Sequence, residues 1–401
     1  MLCVYVWGAG YYAQQVIDEI DKENVNILGI FDQDEQKCGT DLFYPIPIIL
    51  PIEISGKKFD YLIISVKKYQ SSLNECKRLN IPSEKIIIYW ERNEKNNIFV
   101  ERSKRVEELM CENRKYQYRL DSAPYEWGIK FTPKILNGQK LLKKIILDNS
   151  SLCRFGDGEF EIIRQRERPW FQKPNSILGN RLKEILVSKT DRINIAIAQN
   201  FENFEQYKEE AADIIREYMF GDTRRYILEL IDKNRIYYDT YVTRPYIIYK
   251  NKKNADEIFL LFKKIWEKKS VVIVEGEYSR IGIGNDLMEG TSNIFRILCP
   301  YKNAWDKYED ILGIVLKKVS KNSLVCISLG PTATVLAYDL AQRGYQALDI
   351  GQLDNEYEWY LRDVRERISI PGKLVAEVSE KQSFVMVDER KYLNQVIAKV
   401  V

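Results

Sequence analysis

The 401-residue sequence contains no histidine, and this absence removes several kinds of catalytic site. Without histidine there is no Ser-His-Asp triad, no Cys-His pair and no histidine-ligated zinc. A general base must then be Asp, Glu, Lys, Tyr or Cys. A metal site must be built mainly from carboxylates, which favour hard ions such as Mg²⁺ or Mn²⁺.

Three further features are missing. The seven cysteines are dispersed and form no Cys-x-x-Cys motif, so we expect reduced thiols and a cytoplasmic protein. No apolar run reaches the roughly 18 residues of a membrane span, and no basic segment precedes an apolar run at the N-terminus. We therefore expect neither a transmembrane segment nor a signal peptide. The formal net charge is only +3, so nucleic acid is not an expected partner.

The first 90 residues alternate between apolar runs and segments with helical spacing. The runs at 2–7, 25–34, 59–66 and 85–90 predict strands. Strands that alternate with helices predict a parallel sheet with helices on both faces. We assign residues 1–92 to a small Rossmann-like domain.

The first turn of this domain resembles a nucleotide-binding fingerprint. Gly8 and Gly10 lie between the first strand and the first helix, and Asp32 follows about 20 residues later. Glycine at the second position lets the backbone approach a diphosphate, and Asp32 stands where a ribose-binding acid is expected. The turn predicts binding of a nucleotide or nucleotide-sugar. A degenerate scaffold or interaction domain explains the pattern equally well.

A second α/β region follows a charged segment. Residues 93–139 read as a helical connector with a solvated charged face. From residue 140 the alternation resumes, with strands predicted at 151–155, 192–199, 271–276, 293–300, 323–330 and 345–351. The predicted fold class is therefore α/β, with two Rossmann-like domains and mainly parallel sheets joined by the connector. The second domain spans 140–378, and 379–401 forms a tail.

The turn RFGDGE at 154–159 is the clearest chemical signal. Asp157 and Glu159 follow a strand at its carboxyl end, where open α/β sheets bind ligands. Gly156 and Gly158 leave room beside them. The two acids can share a divalent cation that is itself bound to a diphosphate, and Arg154 can neutralise phosphate charge. The alternative is structural, because Asp157 can cap the helix and Glu159 favours its positive end.

Other polar segments follow predicted strands or begin helices, and such polar density is typical of a binding site. The stretch GEYSRIGIGNDL follows the strand at 271–276, VTRPY contains an arginine before proline, and GPTAT begins a helix. The candidate ligand-binding residues in these segments are Arg244, Glu277, Ser279, Arg280, Asn285, Asp286 and Thr332. After the strand at 345–351, Asp354 and Glu356 are candidates for the general base or for positioning an acceptor hydroxyl. An acidic surface loop is the alternative for this last segment.

These motifs together resemble the bacterial glycosyltransferases with the GT-D fold, over about residues 140–375. The resemblance rests on RFGDGE, VTRPY, GEYSRIGIGNDL and SLGPTATVLAYDLAQRGYQALDIG with the following QLDNEYEWYL. It implies a metal-dependent transferase that moves a sugar, with glucose the best guess, from a UDP-sugar to a glycan or glycoprotein acceptor. It implies that Asp157 and Glu159 form the Asp-x-Glu metal and nucleotide-sugar motif, with Mn²⁺ or Mg²⁺ as the cofactor.

One position departs from the family. Its members often carry a histidine where this chain has Gln352. A metal or catalytic role for that ring therefore does not apply here, although glutamine can still bond a ligand. A non-catalytic nucleotide- and glycan-binding protein remains an alternative, as does an NAD-linked sugar oxidoreductase or epimerase. A homo-oligomer is left open.

Overall fold

A computed structural model of the chain describes residues 1–40, 42–43, 45–91, 98–99, 104–166, 172–375, 378 and 389–400. The chain divides into two compact units, residues 1–113 and residues 114–401. Each unit is built around its own parallel sheet. The predicted α/β class with two Rossmann-like domains is confirmed.

The first unit contains a five-stranded sheet with the order β3-β2-β1-β4-β5. Its elements are β1 (Leu2–Trp7), α1 (Tyr11–Glu19), β2 (Val25–Phe31), β3 (Ile48–Ile49), β4 (Tyr61–Ile64), α2 (Gln70–Arg78) and β5 (Ile86–Ile88). All the paired strands run parallel.

Alternate residues of β1 serve two different cores in this unit. Val4 and Val6 pack in the core that contains α1, whereas Tyr5 and Trp7 pack in the core that contains Cys76 of α2. Successive side chains of a strand point to opposite faces, so α1 and α2 cover opposite faces of the sheet. The two helices follow the neighbouring strands β1 and β4. The boundary between these strands is therefore a topological switch point.

The predicted connector at 93–139 is helical only in part. Helix α3 covers Lys104–Glu126, but Lys134–Leu136 forms strand β6 at the edge of the second sheet. Ile98 is buried in the core of the first unit, so that unit extends beyond the predicted boundary at residue 92. The reason is that short segments are fixed by tertiary contacts that a local pattern does not contain.

The second unit contains a nine-stranded sheet with the order β14-β11-β10-β12-β13-β7-β8-β9-β6, and its paired strands are parallel. Its strands after β6 are β7 (Ser151–Phe155), β8 (Ile193–Ile197), β9 (Ile236–Asp239), β10 (Ser270–Gly276), β11 (Asn293–Cys299), β12 (Leu324–Ser328), β13 (Gln346–Asp349) and β14 (Val396–Lys399). The predicted tail therefore supplies an edge strand.

Helices cover both faces of this sheet. They are α4 (Gly138–Asp148), α5 (Asp157–Ile163), α6 (Ser176–Val187), α7 (Glu209–Met219), α8 (Asp222–Leu230), α9 (Lys253–Trp266), α10 (Tyr308–Lys318), α11 (Pro331–Gln342), α12 (Leu353–Leu361) and α13 (Glu389–Gln395). The acids predicted after the strand at 345–351 lie on α12 and are buried, so the surface-loop alternative is wrong. No helix among the described residues is long and apolar enough to span a membrane.

The switch point of the second sheet lies between β13 and β7, which are neighbours. Helix α5, which follows β7, packs Phe160 and Ile162 into one core. Helix α12, which follows β13, packs Tyr357 and Trp359 into the other core. Because the two helices leave toward opposite faces, a crevice opens at the carboxyl ends of these strands. This is the position where a ligand is expected.

Candidate active site

A cleft of about 1000 Å³ runs along the carboxyl ends of the second sheet. Its wall includes the turn after β7, the segment after β9 and the turn after β13. The predicted site residues that line it are Arg154, Gly156, Asp157, Gly158, Glu159, Arg244, Ser279 and Asp354. A volume of this size accommodates a nucleotide-sized ligand.

The acid turn both begins helix α5 and faces the cleft. The Gly156 amide donates to Oε2 of Glu159 over 2.7 Å, and the Gly158 amide donates to Oδ1 of Asp157 over 2.8 Å. Glu159 therefore makes the capping contact that the structural alternative assigned to Asp157. Asp157 is exposed and lines the cleft, so the capping contact of Glu159 leaves the ligand role of Asp157 as a prediction.

Burial dominates the electrostatics of Glu159. Burial, together with the nearby Asp349 carboxylate, raises the pKa of Glu159 to about 7. The Gly156 amide and Arg154 oppose this shift. A carboxyl whose charged form is poorly solvated gains most from a cation placed beside it. The turn is therefore suited to a positively charged ligand.

Arg154 is held by the protein and not directed at a ligand. Its Nε donates to the Asp349 carbonyl over 2.9 Å, Nη2 donates to Oδ1 of Asp349 over 2.8 Å, and Nη1 donates to Oγ1 of Thr243 over 2.8 Å. A Cβ on Gly351 would lie 2.1 Å from Nη2, so glycine is required where the guanidinium crosses. Arg154 thus ties β7, β13 and the segment after β9 together. Because it also lines the cleft, its predicted role as a phosphate ligand stays a prediction.

The glycine-rich loop after β10 uses most of its polar groups to fasten itself. Asn285 Nδ2 donates to Oδ1 of Asp354 over 2.9 Å and to Oε1 of Glu358 over 2.8 Å. Asp286 accepts from the Tyr357 hydroxyl over 2.7 Å. These contacts hold the loop against α12. Asn285 and Asp286 therefore have structural contacts, and their predicted ligand role stays a prediction.

Three other predicted ligand residues also have contacts within the protein. Glu277 pairs with Lys399 over 3.3 Å. Thr332 is fully buried behind the cleft wall, and its hydroxyl lies 3.4 Å from Oε1 of Gln172. Arg280 is buried, with its guanidinium 5.6 Å from the ring centre of Tyr392. The structure does not bring these three side chains together at the acid turn.

The two candidate bases on α12 have different surroundings. Asp354 is buried, accepts from the Gly282 amide over 2.8 Å and pairs with the buried Lys373 over 2.6 Å. Sequence reasoning missed Lys373, since a single lysine between loop residues carries no pattern. The second candidate, Glu356, accepts at Oε2 from the amides of Tyr246 and Ile247, both over 3.0 Å. Its Oε1 has no hydrogen-bond partner among the described residues, and burial raises its pKa.

The carboxylates of the acid turn fit a hard divalent cation only if a substrate provides further ligands. Among the described residues no group of three or more acidic, histidine or cysteine side chains is placed to hold a metal ion. Two carboxylates, Asp157 and Glu159, face the same turn. Mg²⁺ in proteins is commonly held by one or two carboxylates, with substrate phosphates and water completing its shell. The residues present are therefore compatible with a cation that arrives with a diphosphate.

Side chains of the first unit lie against its own glycine turn. Asp32 accepts at Oδ2 from the Ala9 amide over 2.7 Å and from Lys37 Nζ over 3.0 Å. A Cβ on Gly8, where φ is +101°, would lie 2.6 Å from Cγ2 of Val66. Asp32 thus stabilises the turn itself, and its predicted contact with a ribose stays a prediction.

Each of the two units matches a known protein family. The family described as "Glycosyltransferase GT-D fold" matches residues 152–378, and "C2185-like, N-terminal" matches residues 2–87. A "Probable glycosyl transferase Gly" of Streptococcus gordonii is 35% identical over 267 residues, which is 66% of this chain and 39% of that protein. The "Glycosyltransferase GlyD" of Streptococcus pneumoniae serotype 4 is 32% identical over 260 residues, 65% of this chain and 31% of that protein.

Solved structures give the same family. A structure reported as domain of unknown function 1792 with "a distinct glycosyltransferase fold" superposes with a TM-score of 0.65 at 33% identity, covering 72% of this chain and all of that one. "A New Glycosyltransferase" from Streptococcus sanguinis gives a TM-score of 0.62 at 32% identity, covering 67% of this chain and all of that one. The matched regions span only 39% and 31% of the two curated relatives.

Proposed function

The chain belongs to the family of glycosyltransferases with the GT-D fold, and from that premise we propose that it transfers a sugar from a UDP-sugar to a glycan or glycoprotein acceptor. Glucose is the sugar we propose first. The observation that carries the proposal is the position of the Asp157–Glu159 turn, which opens into the cleft at the switch point of the sheet.

The acid pair is the proposed site of a Mn²⁺ or Mg²⁺ ion. Such an ion, held by Asp157 and Glu159, would supply positive charge that neutralises the diphosphate leaving group. Gly158 leaves this turn open, since a Cβ there would make only an ordinary contact of 3.7 Å with Pro331. Arg154 keeps the turn in register with β13 through its three hydrogen bonds. Preorganised charge of this kind needs no rearrangement when the bond breaks.

Basic side chains on the other wall suit an anionic donor. Lys208, Arg244, Arg365 and Arg367 line the same cleft as the acid turn. The Lys208 ammonium donates to the Arg365 carbonyl over 2.9 Å, which places both residues at one part of the wall. Positive groups in a cleft raise the local concentration of an anionic substrate. These residues are proposed to bind the diphosphate before transfer.

The acceptor hydroxyl must lose a proton, and α12 supplies the candidates. Oδ2 of Asp354 pairs with Lys373, and Oδ1 accepts a hydrogen bond from the Gly282 amide, so both oxygens have partners. Glu356 retains one oxygen without a partner among the described residues. Asp354 lines the cleft, whereas Glu356 has the oxygen without a partner among the described residues, so both acids stay proposed as the group that receives the proton or positions the acceptor hydroxyl. Asp354 also holds the loop after β10 through the Gly282 amide.

The proposal is tested by following nucleotide release from a panel of UDP-sugars with Mn²⁺ and with EDTA. We expect release with Mn²⁺ that stops in EDTA and returns when Mn²⁺ is added back. In Glu159→Gln the cation loses one ligand, and we expect release to fall at least tenfold and Mn²⁺ affinity in calorimetry to fall with it. Glu309→Gln, on the exposed start of α10, is the matched control.

The outcomes separate the competing interpretations. Tight binding of a UDP-sugar with no nucleotide release would indicate a binding protein. Equal release in Mn²⁺ and in EDTA would contradict the metal role of the acid pair.

A further inference from the structure

Two polar atoms in the cleft wall lack hydrogen-bond partners among the described residues, and each lies on a segment that Arg154 contacts. Thr240 and Gln352 both line the cleft. Thr240 Oγ1 and Gln352 Oε1 are buried and have no hydrogen-bond partner among the described residues. A buried polar atom without a partner costs about 1–3 kcal/mol. Such atoms in a cleft indicate a ligand that supplies the missing hydrogen bonds.

Arg154 brings the two atoms into the same part of the cleft. Its Nη1 bonds Oγ1 of Thr243, which ends the 3₁₀ turn that Thr240 begins. Side chains three residues apart in a 3₁₀ turn lie on the same side, so Thr240 is directed with Thr243 toward Arg154. On the other side, Nη2 packs against Gly351, the residue before Gln352. One guanidinium group therefore separates the two segments.

The same arginine directly precedes the acid turn. Phe155 and Gly156 connect Arg154 to Asp157, so the pair of unpartnered atoms lies beside the place proposed for the diphosphate. In a nucleoside diphosphate sugar, the sugar is bonded directly to the second phosphate. The other phosphate carries the ribose, so the group beside the diphosphate is one of two hydroxyl-bearing rings, and comparing UDP with UDP-glucose distinguishes the sugar from the ribose.

We propose that Thr240 and Gln352 form the subsite that binds the hydroxyl groups of the donor sugar. This inference rests on the proposed function and adds to it the residues that recognise the sugar. Gln352 Oε1 can accept a hydrogen bond from a ring hydroxyl, and Thr240 can donate or accept. The substrate class is therefore a hexose carried by a nucleoside diphosphate and recognised through its hydroxyl groups.

The test compares the binding of UDP with that of UDP-glucose by calorimetry in the presence of Mn²⁺. The variants are Thr240→Val and Gln352→Leu, which keep the approximate shape and remove the polar atom. We expect each variant to bind UDP within twofold of the wild type and to bind UDP-glucose about 3- to 10-fold more weakly, the effect of one hydrogen bond. Thr190→Val, before the amino end of β8, is the matched control and should change neither affinity.

Thermal unfolding without ligand provides a second readout. If the two atoms form hydrogen bonds only with a ligand, the free protein bears the cost of burying them without partners. Replacing them with apolar groups removes that cost, so Tm should stay level or rise. A purely structural role predicts a lower Tm and an equal loss of affinity for UDP and UDP-glucose, and that result would overturn the subsite.

Two further outcomes are decisive. Unchanged UDP-glucose binding with a raised acceptor KM would overturn the donor-sugar assignment in favour of the acceptor. The proposed function fails if the wild type binds none of UDP, ADP, GDP and TDP and none of their glucose conjugates. If the wild type binds a donor and only the variants lose affinity for it, the result concerns the subsite alone.

Discussion

The two units of this protein contain the same local feature, a glycine turn between a strand and a helix at the switch point of a parallel sheet, but the surroundings of the two turns differ. At Gly8–Gly10, the chain's own Asp32 and Val66 occupy the space beside the turn. At Gly156–Gly158, the space is a cleft of about 1000 Å³ with two carboxylates on its wall. The same glycine turn is therefore found in two different surroundings, and only the tertiary structure shows which of them opens into a cleft.

An ion pair accompanies each turn, and the two pairs differ in burial. Arg154 and Asp349 have side chains only 16% and 2% exposed, whereas Lys37 and Asp32 are 29% and 13% exposed. A buried pair is costly to break because the remaining charge has no solvent. A partly exposed pair contributes little. The open turn is therefore supported by the more rigid contact.

The largest expected change in unfolding free energy comes from breaking the buried ion pair, and the partly exposed pair provides the comparison. Arg154→Met leaves the Asp349 carboxylate buried without its partner, and we expect the second unit to lose about 3–5 kcal/mol of unfolding free energy. Lys37→Met should cost the first unit less than about 1 kcal/mol. Urea denaturation followed by circular dichroism measures both. Equal losses would show that burial does not distinguish the two turns.

We expect the unfolding free energy of the second unit to depend on pH. Burial raises the pKa of Asp239, at the end of β9, to about 6. The ordinary value is near 3.9, so the native second unit binds more protons than its unfolded chain between about pH 4 and pH 6. Stability contributed by this group is present below pH 4 and is lost as the pH rises through 6, by up to about 3 kcal/mol.

Asp239→Asn separates this contribution from those of other groups. Asparagine keeps an oxygen for the Tyr241 amide, which Asp239 Oδ1 binds over 2.9 Å. The difference in unfolding free energy between variant and wild type should therefore grow between pH 4 and pH 6 in favour of the variant. A constant difference across that range would contradict the assignment. Denaturant midpoints at half-unit pH steps provide the measurement.

The smallest effect concerns packing in the first turn. Gly8→Ala must place a Cβ 2.6 Å from Cγ2 of Val66 at a positive φ, which should cost about 1–3 kcal/mol. Gly10→Ala meets no atom within 4 Å and should stay within about 0.5 kcal/mol of the wild type. Thermal unfolding of both variants checks the difference. If both cost the same, the first crevice is not closed by its own chain.

Much of the fold was predictable because buried strands in parallel sheets are continuous apolar runs. The strand at 151–155 was predicted with the bounds that the structure has, and the turn that follows it, predicted to bind a ligand, lines the cleft. Strand β9 was missed, because Ile236–Asp239 is short and ends in a polar residue that resembles a loop. Strand β14 was also missed, since the tail shows no alternation that distinguishes an edge strand.

The roles of individual side chains were less predictable. Arg154 was expected to bind phosphate, but its partners Thr243 and Asp349 lie 89 and 195 residues away in the sequence. Asn285 was expected to bind a ligand, yet Asp354, its partner, lies on a helix that follows much later. Local sequence shows which residues can form hydrogen bonds. Only the tertiary structure shows which bonds are already made.

The most direct test of the comparison is nucleotide release from UDP-glucose, in Mn²⁺, by Asp157→Asn and Asp32→Asn side by side. Each substitution removes one carboxylate charge from one turn. We predict that Asp157→Asn lowers release at least 100-fold, an effect of about 3 kcal/mol, while Asp32→Asn stays within twofold of the wild type. Retained release in Asp157→Asn with loss in Asp32→Asn would contradict the account, because the chemistry would then belong to the first turn.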